Sequence, residues 1–144
     1  MGIRARKPED TMLTLPGGDW LVVKKHLTYG DQQQIYRRLW TPLDDGRSVV
    51  DHAMRYGEIA IVIQYLLDWS IADGAGTPIK IQTPTGEPDT AKIRSALELL
   101  DVEDVKTIET AVIAHHSAME KLREAEKNVR ADATASATRS ESPA

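Results

Sequence analysis

A chain of 144 residues, 41% hydrophobic and 28% charged, has the size and balance of one soluble domain with a modest core. Its net charge of −4 argues against wholesale binding to nucleic acid or to an anionic membrane and leaves room only for a local basic patch. The absence of cysteine removes disulfides, thiolate catalysis and Cys-type zinc sites, and fits a reducing cytoplasm.

The N-terminal MGIRARKPED is positively charged with no apolar stretch of signal-peptide type behind it, so residues 1–10 are expected to be a flexible segment. Thr11 to Leu15 and Asp19 to Lys25 read as two short strands around the turn Pro16-Gly17-Gly18. Alternation sets Trp20 and Val22 against Leu21 and Val23, so this strand has apolar groups on both faces. An isolated hairpin is marginal in water and needs a helix beneath it. Thr28, with Asp31 three residues on, marks a helix start, and Pro42 biases Thr41 out of helical geometry and ends the element. Within it Ile35 and Leu39, and Tyr36 and Trp40, are expected to pair at i,i+4.

After the loop Leu43 to Arg47, residues Val49 to Ile71 read as one long helix. Its second half, IAIVIQYLLDWSI, is apolar on almost every side. This stretch is shorter than the roughly 20 residues a bilayer requires, and Asp68 interrupts it, so burial in protein is the expected fate. Asp73-Gly74-Ala75-Gly76 is a break, and Thr77 to Thr83 alternates well enough to add an edge strand to the hairpin. Asp89 or Thr90 caps a third helix carrying Ile93, Leu97 and Leu100, and Asp101 caps a fourth that reaches about Arg130.

Along the fourth helix Val105, Ile108, Val112, His115, Met119, Leu122, Glu126 and Val129 recur at spacings of three and four. Beyond Ser117 this seam thins to a stripe among charges, so the distal half is expected to project as an amphipathic arm. From Ala131 the chain is dominated by Ala, Ser and Thr, a composition expected to leave residues 131–144 a disordered tail. No internal repeat is evident. The fold class expected is α+β and mostly α: an N-terminal β-hairpin with room for a third short strand, packed on about four helices, forming one domain over residues 11–130.

Chemistry is sparse. His116 and Glu120 are i,i+4, but no third ligand completes a zinc site and no HExxH helix is present. No serine stands in a GxSxG elbow, and neither Pro16-Gly17-Gly18-Asp19 nor Gly74-Ala75-Gly76-Thr77 has the length or the lysine of a phosphate loop. Asp44-Asp45 lies in a loop with no apolar surroundings to raise a carboxyl pKa. The expectation is therefore no enzyme, no cofactor and no metal. Lys24, Lys25, His26, Arg37 and Arg38, with Tyr36 and Trp40 nearby, sketch a nucleic-acid patch, against which stands the ordinary use of lysines on an edge strand.

Three stretches carry a resemblance: LPGGDWLVVKKHLTYGDQQQIYRRL, YLLDWSIADGAGTPIKI and ALELLDVEDVKTIETAVIAHHSAMEKLREAEK. In this order they resemble the tail assembly chaperones of long-tailed, siphovirus-type bacteriophages, over about Leu13 to Lys127. The shared features are an LPxG hairpin, an LT-initiated charged helix, a DWSL-like helix end followed by a polar loop and a short P-I segment, and a closing amphipathic helix with a low-complexity tail. The resemblance implies a non-enzymatic factor of the host cell cytoplasm that coats the helical tape-measure protein while tail-tube subunits assemble. The tail-tube protein and self-association are further contacts it leaves open. It carries no catalytic residues. Helix-in-groove recognition would suit such a client, with Tyr36, Trp40, Tyr65 and Trp69 as ring anchors and Met119 and Leu122 on the arm. Two other readings stand beside it: a virion structural protein of the tail or head–tail junction, and a small nucleic-acid-associated regulator.

Overall fold

The computed structural model describes residues 8–50 and 58–141, with side chains described for 8–40, 43–48 and 58–130. The chain divides into two compact units, Met1–Ile113 and Ala114–Ala144.

In the first unit, β1 (Asp10–Thr14) and β2 (Trp20–Lys24) pair antiparallel from Asp10↔Lys24 to Thr14↔Trp20, as the turn residues predict. Leu21 and Val23 are fully buried while Trp20 and Val22 are only half-covered, so β2 has one sealed face and one partly sealed. Helix α1 (Tyr29–Arg38) begins with a complete capping box. The Thr28 hydroxyl accepts from the Asp31 amide, and the Asp31 carboxylate accepts from the Thr28 amide at 2.9 Å.

The end of α1 departs from expectation. Leu39 caps the helix, and Trp40 enters a strand, β3 (Trp40–Pro42), which pairs with β4 (Ser48–Val50) in a separate two-stranded sheet. The Tyr36–Trp40 helical pair therefore does not form. Residues 48–50 are likewise strand and not the first turn of a long helix; residues 51–57 of that expected helix lie outside the described residues.

The apolar run itself splits in two. Helix α2 (Glu58–Tyr65) gives way directly to β5 (Leu66–Trp69), which pairs antiparallel with β2 and completes a sheet of order β1-β2-β5. Val22 faces Asp68 and Val23 faces Leu66, leaving Leu67 as the extra residue of a bulge. The third strand thus comes from Leu66–Trp69. Residues 77–83 contribute only isolated bridges, Ala72↔Pro78 and Gln82↔Pro88.

Those bridges expose a structural repeat the sequence conceals. Four turns, starting at Leu15, Leu43, Asp73 and Thr83, share one wiring. The first residue's amide donates to the carbonyl four positions on, and the fourth residue's amide donates back to the first carbonyl. The fourth residue is always glycine (Gly18, Gly46, Gly76, Gly86), with φ between 83° and 99°. That left-handed conformation closes a three-residue hairpin loop, and no neighbouring atom lies where a Cβ would go, so the demand is on the backbone alone.

Two of these hairpins run in tandem over 71–79 and 81–89 and feed α3 (Thr90–Glu98). The carboxylate of its N-cap, Asp89, accepts from the amides of Ala91 and Lys92. Helix α4 (Val102–Glu141) follows and continues past the expected end near Arg130. Ala131, Ala133, Ala135 and Ala137 are strong helix formers. The expected disordered tail, 131–144, falls outside the described side chains. The core of the first unit collects Leu21 and Val23, Ala60, Val62, Ile63 and Tyr65, Leu66 and Trp69, Ile81, Ile93 and Leu97, and Ile108 and Val112. This is an α+β fold, with α1 packed on α2 and α2 on α3.

Candidate functional site

The six ring and arm positions expected to form a partner surface separate sharply. Tyr65 and Trp69 are 2% and 5% exposed and belong to the core. The indole N–H of Trp69 donates to the Ile79 carbonyl at 2.7 Å, tying β5 to the first tandem hairpin. These two residues are corrected from anchors to core: Tyr65 ends α2 and Trp69 ends β5, and both belong to the core cluster. Tyr36, in α1, and Trp40, in β3, are both exposed. In the second unit Met119 is half-buried and Leu122 is 51% exposed, with Val129 exposed further along the same stripe.

Pattern reading missed a further apolar surface in the first unit. Leu99 is 77% exposed and Val102, three residues on, is 70% exposed, where α3 hands over to α4. Leu99 also lines a shallow groove of about 420 Å³ with Ile79, Ala91 and Ala96. The available signal was the pair Leu99-Leu100. Leu99 is the C-cap of α3 and points away from the core, while Leu100, the next residue, packs against it.

Within the first unit the two lysines of the expected cationic patch have carboxylate partners. Lys24 Nζ lies 2.7 Å from Asp31 Oδ1, and Lys25 Nζ lies 3.4 Å from Glu9. The Asp31 carboxylate also accepts from the Gln64 amide, whose oxygen accepts from Arg38. Arg38 reaches on to the Thr90 hydroxyl at 3.3 Å. Gln64, a polar residue inside the apolar run, is buried and so needs these partners. The chain Lys24–Asp31–Gln64–Arg38–Thr90 links β2, α1, α2 and the start of α3.

Electrostatics follows this wiring. Burial raises the Asp31 carboxyl, but the Lys24 hydrogen bond, the Thr28 amide, Gln64 and the Lys24 charge together hold it below its ordinary 3.8. Burial lowers the Arg38 guanidinium, opposed by the charge of Asp31, yet arginine stays protonated throughout the working range. Glu109 on α4 is pushed above 4.5 by burial first, then by the charge of Glu58 and a hydrogen bond with it, with Lys106 pulling the other way.

His116 Nε2 lies 3.1 Å from Glu120, as the i,i+4 spacing predicts, and His115 is buried. Among the described residues no group of three or more metal-ligating side chains comes together. Also among the described residues, no helix is long and apolar enough to cross a membrane. No protein-family model matches the chain, and neither does any curated protein or solved structure.

Proposed function

We propose that this chain is a non-enzymatic tail assembly chaperone of a long-tailed bacteriophage, binding the helical tape-measure protein in the host cytoplasm and keeping it soluble during tube assembly. One observation carries the reading: the apolar seam of α4 outruns its core. Ile108 and Val112 are sealed, whereas Leu122 and Val129, on the same three-and-four spacing, are exposed. A half-naked helical stripe is costly in water unless another surface covers it, and a second amphipathic helix is the cover that matches its period. Exposed Tyr36 and Trp40 supply rings suited to a contact that tolerates varied client residues. The resemblance in the hairpin, the DWS segment and the closing helix supports the same reading.

Co-expression tests it. A tape-measure protein that aggregates alone should appear in the soluble fraction with this chain and co-elute with it. An equally insoluble client in both conditions would end the proposal. Finished particles should lack the chain; its stoichiometric presence in purified virions would favour the virion structural reading.

A further inference from the structure

The corner between α3 and α4 carries two exposed apolar groups beside patches of opposite sign. The groove containing Ile79, Ala91, Ala96 and Leu99 is lined by two cations, Lys80 and Lys92, and by no carboxylate. The Lys92 ammonium is held by the Gln82 carbonyl at 3.0 Å. Immediately beyond Leu99, the exposed Val102 is surrounded in sequence by Asp101, Glu103 and Asp104, all three exposed. Glu103 has an intrahelical partner in Lys106 at 3.6 Å, but that pair is largely exposed and therefore weak. An exposed apolar side chain flanked in sequence by carboxylates thus follows directly on an apolar groove lined by ammonium groups.

We infer that this corner is a self-complementary contact between two copies of the chain, in which Val102 and its carboxylates from each copy occupy the lysine-lined groove of the other. A two-fold arrangement requires both halves of the contact on one surface, with each residue's partner reciprocated. Leu99 at the end of α3 and Val102 at the start of α4 keep both halves of the contact at one corner, and opposite charges fix the register. The charges contribute orientation and the two apolar groups contribute burial. This contact lies in the first unit and does not rest on the chaperone reading.

Sedimentation velocity on the full chain, across a concentration series at low and high salt, tests the inference. The wild-type chain should sediment as a dimer at low salt and shift toward monomer as salt screens the pairs. Lys80→Glu with Lys92→Glu should be monomeric, and so should Glu103→Lys with Asp104→Lys, each with an unchanged far-ultraviolet dichroism spectrum. Mixing the two charge-reversed proteins should restore a dimer, because both contacts are then complementary again. A wild-type chain that stays monomeric throughout would overturn the inference. So would a dimer that survives both reversals, a mixture of folded variants that stays monomeric, or a dimer abolished by Leu122→Asp but by neither charge reversal.

Discussion

Helix α2 with its continuation β5, and the distal part of α4, are both rich in aliphatic side chains and share almost nothing else. In α2 and β5 apolar groups occur on nearly every side, and Ala60, Val62, Ile63, Leu66 and Trp69 are all buried. Distal α4 keeps its apolar groups to one stripe, and every residue from Glu120 to Arg130 is exposed. Density around the helix, more than hydrophobicity at any one position, separates core from surface here. A segment that is greasy all round can be stable only where several elements cover it, whereas a stripe requires one partner and can wait for it.

The largest effect is expected at Ile63, which is 3% exposed. Ile63→Asp places an unpaired carboxylate among Leu21, Val23 and their neighbours. A loss above about 4 kcal/mol is expected, enough to unfold a domain of ordinary stability. Wild-type melting of that variant would show that α2 is not central.

Next in size is the polar chain that holds α2 in place. Asp31→Ala removes the acceptor for Lys24, the Thr28 amide and Gln64 together, leaving a half-buried lysine and a buried amide without their carboxylate. A loss of about 2–3 kcal/mol is expected by thermal or denaturant melting. The pH dependence has a definite sign. Because folding lowers the Asp31 pKa, its contribution is complete above pH 3.8 and is lost as pH falls through the lower folded value. The variant should therefore lose less stability than wild type between pH 3.8 and more acid conditions.

These same elements mark how far the sequence could be read. Caps and turns were legible because each depends on a side chain with a specific job: Thr28 and Asp31 at α1, Asp89 at α3, Pro16 and the glycines in the first hairpin. The run after Glu58 was not, because a stretch apolar on all sides has no period to distinguish a buried helix from a buried strand. The switch at Tyr65–Leu66 is a tertiary choice, made by pairing with β2, and it sets Trp69 opposite Leu21 and out of the candidate surface. Thr77 to Thr83 alternates like a strand, yet β5 occupies the place beside β2 and the Gln82 side chain donates to the Leu67 carbonyl instead. Leu122 was legible as surface because its neighbours are charged; Leu99 was not, because its exposure depends on which side of α3 faces the core.

A smaller effect is expected at Glu109, which unlike Asp31 is destabilised as a charge. Its folded pKa lies above 4.5, so its contribution is complete below that pH and is lost as pH rises through the higher folded value. Glu109→Gln removes the repulsion with Glu58 and should raise stability at neutral pH by a few tenths of a kcal/mol, since solvent screens much of it. The gain should shrink toward zero as the medium is acidified below pH 4.5. A gain independent of pH would locate the effect in packing and leave the carboxylate pair without influence.

Leu122→Asp is expected to change folding least and function most. The side chain is half exposed and its neighbours Lys121 and Arg123 are charged, so a carboxylate there should alter the melting temperature by no more than about 0.5 kcal/mol equivalent. On the stripe, however, it puts a hydrated charge where a client helix would have to lay an apolar face, and burying it would cost far more than the leucine contributes. Soluble client recovered on co-expression should therefore fall sharply while the variant itself stays folded and soluble. Collapse of the variant would make distal α4 part of the core, and undiminished client recovery would move the working surface elsewhere. Either result would dissolve the contrast between a sealed run and a waiting stripe.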